Sequence, residues 1–137
     1  MTRKLKLILL LSLFVFTVGF FINKNKPVPQ PPTTEISQTQ GVFIINYGDG
    51  NLVTTSFVPR PGQTVFEALK EVSEEKDIVL ETQQYDFGVF VKAIGGYQSS
   101  AEMAWIYFIN GNSGQVAADN QVITNGDLVE WKYVKPE

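Results

Sequence analysis

The chain has 137 residues, of which 44% are hydrophobic, so it has room for one globular domain and not for a multidomain enzyme. It contains no cysteine and no histidine, which excludes disulfides, thiolate and imidazole metal sites, and catalysis by Cys or His. Residues 1–40 carry five basic and one acidic side chain, whereas residues 41–137 carry six basic and thirteen acidic ones, a balance that disfavours a nucleic-acid partner.

The N-terminal segment is a candidate membrane anchor. Three basic residues within the first six precede an uncharged run over residues 7–22. Residues 5–22 would form about 27 Å of helix, which just spans a bilayer. A cleaved signal peptide is the alternative, but the run lacks an A-x-A cleavage site. We therefore predict a signal anchor, or transmembrane helix, over residues 1–22.

The charge bias around this anchor predicts its orientation. More positive charge precedes the run than follows it, which favours a cytoplasmic N-terminus and a C-terminal body outside the cytoplasm. The expected location is the cell membrane, with a single pass; if the leader is cleaved, the body is secreted.

A Pro-rich linker follows over residues 23–40 (NKNKPVPQPPTTEISQTQ). It holds four of the seven prolines and only two aliphatic residues, so it cannot bury enough surface to offset its ordering entropy. We interpret it as a tether in partly polyproline II conformation. The segment PVPQPP as an SH3-type ligand is the alternative.

The body, residues 41–137, begins with a predicted hairpin. Residues 42–47 (VFIINY) and 52–58 (LVTTSFV) are rich in β-branched and aromatic residues, and Gly48, Asp49 and Gly50 separate them. This pattern is typical of two antiparallel strands joined by a tight turn.

A capping box then predicts one helix. Thr64 and Glu67 have the spacing in which each side chain bonds the other's backbone N–H. Apolar residues recur after them at helical spacing, with charged residues on the other side: Val65, Ala68, Leu69 and Val72. The sequence predicts an amphipathic helix of about three turns that covers one sheet face.

Three further strands are predicted over residues 87–94, 105–109 and 128–134, each bounded by Gly or Asn-Gly turns. A short apolar stretch at residues 78–80 precedes them. The order of two strands, one helix and three strands is that of a β-grasp fold. We expect an α+β domain with a mixed sheet of about five strands and one covering helix.

The body resembles the transcobalamin C-terminal-like family of soluble ligand-binding β-grasp domains. Five stretches carry the resemblance, in order: residues 47–50 (YGDG), 64–69 (TVFEAL), 87–96 (FGVFVKAIGG), 105–111 (WIYFING) and 125–131 (NGDLVEW). In vertebrate cobalamin carriers this domain closes over a corrinoid held mostly by a separate helical domain. The resemblance thus implies a contact surface for cobalamin or a related corrinoid, while many bacterial members have no assigned role.

The resemblance makes the stretch over residues 105–111 the first choice for a contact site, and the strand within it, residues 105–109, is apolar on both faces. Trp105 and Tyr107 lie on one face, and Ile106 and Phe108 on the other. Either the neighbouring segments cover the second face, or it is an exposed aromatic patch that binds a ligand. The candidate ligand-binding residues are Phe87, Gly88, Phe90, Tyr97, Trp105, Tyr107, Asn110 and Gly111.

No catalytic or metal-binding residues are predicted. Asp49, Asp119 and Asp127 lie near glycines, but turn chemistry explains each of them and their spacing fits no calcium loop. The predicted function is a non-enzymatic, membrane-anchored extracytoplasmic module for a small ligand, with a corrinoid as first candidate. A cell-surface module that binds a protein or glycan partner is the alternative, and an inert structural domain is a third.

Overall fold

The computed structural model describes residues 39–136. The predicted anchor and nearly all of the predicted linker lie outside the described residues. Between residues 39 and 136, no helix has both the length and the apolar character needed to cross a membrane.

The described chain forms one α-helix and eight β-strands. In chain order they are β1 (Gly41–Asn46), β2 (Leu52–Phe57), α1 (Val65–Glu75), β3 (Leu80–Tyr85), β4 (Gly88–Ile94), β5 (Tyr97–Gln98), β6 (Ala104–Ile109), β7 (Asn112–Ser113) and β8 (Leu128–Val134). They build a mixed five-stranded sheet of order β2-β1-β8-β6-β7 and a separate three-stranded sheet of order β3-β4-β5. The α+β class is as predicted.

The first hairpin is confirmed. β1 pairs antiparallel with β2 on one side and parallel with β8 on the other, so the N-terminal strand lies inside the larger sheet. Within the connection, Asp49 accepts a hydrogen bond from the Asn51 backbone N–H at 3.0 Å. This is the turn chemistry that a short acidic side chain between glycines provides.

The predicted capping box is also confirmed. The Thr64 hydroxyl accepts from the Glu67 N–H at 3.2 Å, and the Glu67 carboxylate accepts from the Thr64 N–H at 3.0 Å. The four apolar residues expected on the inner side of α1 are all buried. The helix therefore begins where the sequence placed it and presents its apolar side to the core.

The core lies between α1 and one face of the larger sheet. Alternate residues of its central strands face inward, and Phe43, Ile45 and Val129 are fully buried. The register places Trp131 beside Ile45 and opposite Tyr107, so these residues share that face. Val91 and Ile94 of β4 join the same core from the smaller sheet.

The prediction of one sheet was incomplete. Phe87 lies in a tight turn, and β4 belongs to the smaller sheet, where it pairs with β3. Five of the six residues of β3 (LETQQY) are exposed, and their sequence shows no alternation of apolar and polar residues. The sequence pattern therefore did not predict this strand.

Candidate functional site

A small apolar cleft lies between β4 and β6. It has a volume of about 260 Å³, and every residue that lines it is uncharged. Phe87 and Phe90 come from the β3–β4 hairpin, Trp105 and Tyr107 from β6, and residues 114–118 close it as a loop. An uncharged wall of this kind suits the apolar part of a neutral ligand.

Three exposed rings form an aromatic rim beside the cleft, made of Tyr85, Phe87 and Phe90. Tyr85 and Phe87 stack with ring centroids 5.2 Å apart and planes at 8°, and Phe90 meets Tyr85 edge-on at 6.3 Å. Phe87 is 67% exposed. Aromatic rings left this open on a folded domain are candidates for contact with a ligand or partner.

Hydrogen bonds fix the hairpin that carries the rim. The Asp119 carboxylate accepts from the Val89 N–H at 3.0 Å, and the Asn120 side chain donates to the Phe87 carbonyl at 3.4 Å. Gly88 has φ 133°, and a Cβ there would overlap the side chains of Ala117 and Asp119. Close packing against the loop thus explains this glycine, which was a candidate ligand contact.

Trp105 and Tyr107 are core residues that also line the cleft. They are only 5% and 6% exposed, and their polar atoms bond to backbone. The Trp105 indole N–H donates to the Tyr97 carbonyl, and the Tyr107 hydroxyl to the Val116 carbonyl, each at 2.7 Å. Burial raises the pKa of Tyr107. Trp105 and Tyr107 are thus packed core residues, whereas Ile106 and Phe108, on the face for which cover was in question, are half-buried.

Tyr97 lies in a different cluster. Its hydroxyl donates to the Asp49 carboxylate at 2.7 Å, and its ring lies 4.8 Å from that of Tyr47. The hydrogen bond to Asp49 raises the pKa of Tyr97. The pKa of Asp49 is lowered, first by the Asn51 backbone N–H and then by Tyr97. Tyr97 does not line the cleft.

Asn110 and Gly111 form the turn after β6, also away from the cleft. Asn110 has φ 51°, and its side chain donates to Asp127 and accepts from the Leu128 N–H, both at 2.9 Å. Nothing lies near the position of a Cβ at Gly111, whose φ is 83°. Four of the eight predicted residues therefore meet at the cleft: Phe87, Phe90, Trp105 and Tyr107.

Sequence reasoning missed Tyr85 on the rim and several residues of the cleft, among them Trp131 and the loop at residues 114–118. The alternation in β8 identified Trp131 as apolar, but nothing in it showed that this side chain reaches the cleft. Trp131 is 3% exposed, and its indole N–H meets no acceptor within residues 39–136. Tyr85 is the last residue of β3, whose polar sequence gave no signal for a strand.

Acidic side chains do not assemble into a metal site in the part of the chain that the structure describes. No three Asp or Glu residues there are arranged so that they could hold a metal ion.

Two solved structures are similar in fold. One is a suspected metal-binding protein from Ruminococcus gnavus ATCC 29149, with a TM-score of 0.56 and 15% identity over 72% of this chain and 99% of that one. The other is haptocorrin in complex with Cbi, with a TM-score of 0.63 and 14% identity over 73% of this chain and 26% of haptocorrin. At these identities the likeness concerns the fold alone.

Sequence comparisons give the family. No curated protein matches the chain. The family model described as "Domain of unknown function (DUF4430)" matches residues 62–135, from the turn before α1 to the end of β8, which is more than half of the chain. This protein therefore belongs to the DUF4430 family.

Proposed function

We propose that this protein is a non-catalytic ligand-binding module, anchored in the cell membrane through residues 5–22 with its domain outside the cytoplasm. The observation that carries ligand binding is the uncharged cleft with the aromatic rim at its mouth. The mixed sheet with one covering helix suits a β-grasp domain of the transcobalamin C-terminal-like kind. The fold likeness to haptocorrin supports that relationship.

The ligand class that we propose is a corrinoid. A flat macrocycle offers a broad face to the rings of Phe87 and Phe90, and aromatic contacts of this kind contribute beyond simple area burial. The cleft, at about 260 Å³, lies below the range of about 300–1,000 Å³ of pockets that enclose a whole ligand. The domain then supplies one wall of a binding site. Since the chain has no histidine, no imidazole of its own ligates cobalt.

Tryptophan fluorescence gives a direct test, because the only two tryptophans of the chain, Trp105 and Trp131, both line the cleft. The full-length protein in detergent micelles is titrated with cyanocobalamin and with cobinamide, with free tryptophan as the inner-filter control. We expect saturable quenching. Phe87→Ala should weaken binding about tenfold, or about 1.4 kcal/mol, because it removes the most exposed ring of the rim.

Leu52→Ala is the matched control, since Leu52 is exposed on β2 and does not line the cleft. Phe87 is a better probe than Trp105, whose truncation would remove a core ring together with its hydrogen bond to Tyr97. Absence of saturation up to about 1 mM, where the association free energy is only about −4 kcal/mol, would contradict corrinoid binding by this domain.

A further inference from the structure

A second and larger groove lies between α1 and β3, with a volume of about 490 Å³. Its helix wall runs from Phe66 to Glu74, about 12 Å of helix. Its strand wall takes the alternate residues Leu80, Thr82 and Gln84, about 13 Å of strand. The groove is therefore elongated along β3, and its length matches about four residues of extended chain.

The inner face of β3 is incompletely covered along this groove. Thr82 pairs with Val91 and Gln84 with Val89, so both point to the same side as a buried and a half-buried residue of β4. Both are nevertheless exposed, because α1 does not close over them. Side chains of another molecule can enter there.

β3 also has a free edge, since within residues 39–136 it pairs with β4 alone. In the Gln84–Val89 pair, the Val89 N–H donates to Asp119 and therefore points away from β3. Residues paired in this way both direct their backbone groups outward. Gln84 thus presents its N–H and C=O at the free edge, where an added strand can bond to them.

Polar groups along the helix wall lack partners in the described part of the chain. Ser73 is 2% exposed, and its hydroxyl has no hydrogen-bond partner there. Lys70 and Glu74 form no salt bridge with any residue from 39 to 136. A buried hydroxyl without a partner costs free energy that a ligand can recover.

We propose that this groove binds an extended peptide segment of a partner protein, which adds to β3 as a further strand. Its backbone bonds to the free edge of β3, and its alternate side chains enter the groove above Ile78 and Leu80. Lys70 and Glu74 are one helical turn apart, about 6 Å, which matches residues i and i+2 of a strand. The peptide therefore carries an acidic and a basic side chain two residues apart.

The test is selection of a phage-displayed random hexapeptide library on the full-length protein in lipid nanodiscs. We expect a consensus with the two charges at i and i+2. A double variant, Lys70→Glu with Glu74→Lys, should select peptides in which the charges are exchanged, and should bind the original consensus at least tenfold more weakly. Selection without a consensus, or a consensus indifferent to the exchange, would overturn the proposal.

Two further comparisons separate strand addition from simple side-chain binding. Gln84→Pro removes the outward N–H of β3 and should abolish binding, whereas Thr54→Pro on β2, an edge strand of the larger sheet, should not. Circular dichroism shows whether each variant is folded.

Consensus peptides with N-methylated backbones should fail to bind. Equal binding of the methylated peptides would show that no strand is added, and this outcome holds whether or not the proline variants fold.

Discussion

Single aromatic residues of β6 and β8 connect their strands to other segments of the domain through their polar atoms. The hydroxyl of Tyr107 bonds the Val116 carbonyl, that of Tyr133 the Gln98 carbonyl, and the indole of Trp105 the Tyr97 carbonyl. Aromatic side chains with a polar atom take such positions because the ring is buried while the donor is satisfied. The aromatic residues of β6 and β8 thus mainly pack the interior of the domain, and only some of their ring edges reach the cleft.

One residue, Asp49, should make the stability of the domain depend on pH. Hydrogen bonds from the Asn51 N–H and the Tyr97 hydroxyl hold the pKa of Asp49 below its ordinary value of 3.8. A carboxyl whose pKa is lowered by folding stabilises the fold above its unfolded pKa, and this contribution is lost as the pH falls through its folded pKa. Asp49→Asn should therefore be less stable than the wild type near neutral pH.

Urea unfolding of both proteins at about pH 7 and about pH 2.5 measures this effect. The difference between the two midpoints should shrink at the lower pH, because the wild-type carboxyl is then increasingly protonated. A difference of equal size at both pH values would show that the charge of Asp49 contributes nothing.

Among the elements, α1 is specified by its own sequence, whereas β3 is specified by its pairing with another strand. α1 carries its own start signal and an apolar side with helical spacing, so local rules specify it. β3 carries neither, and it forms because β4 supplies a partner across a two-residue turn. A polar strand of this kind owes its conformation to pairing and not to its own side chains.

The cap of α1 should contribute measurably to stability. Thr64→Ala removes the acceptor for the Glu67 N–H and should lower the free energy of unfolding by about 1 kcal/mol. Thr64→Ser keeps the hydroxyl and should stay close to the wild type. Chemical denaturation of the three proteins measures the loss, and an equal loss in both variants would instead assign it to the methyl group of Thr64.

At the scale of the molecule, the two sheets share one core. β4 contacts β6, and the candidate ligand cleft lies where the smaller sheet meets the larger one. The peptide groove lies elsewhere on the smaller sheet, between α1 and β3. The β3–β4 hairpin therefore contributes residues to both proposed sites.

The proposed membrane orientation is testable because the chain contains no cysteine. A single cysteine introduced at the exposed position Gln115 should react with a membrane-impermeant maleimide in intact cells. One introduced at Lys4 should react only after lysis. If only the Lys4→Cys variant were labelled in intact cells, the orientation would be the opposite of the proposed one. Recovery of the Gln115→Cys protein in the medium would indicate cleavage of the leader.

Elements with local signals could be predicted from the amino-acid sequence alone. The turn at Asp49, the cap at Thr64 and the alternation around Trp131 depend on neighbours a few residues away, and each is found as predicted. The sequence also identified Phe87, Phe90, Trp105 and Tyr107 as candidate site residues, because aromatic residues close to predicted turns are easily recognised.

Which of these residues come into contact could not be predicted, because it depends on segments that are far apart in the chain. β3, the second sheet and the position of the loop at residues 114–118 depend on pairing and packing between distant segments, which leave no periodic trace in either partner. The same holds for the edge at Gln84 and the hydroxyl of Ser73, neither of which has a partner among residues 39–136. Whether a polar group has a partner depends on the whole fold, and the proposed peptide groove follows from that property.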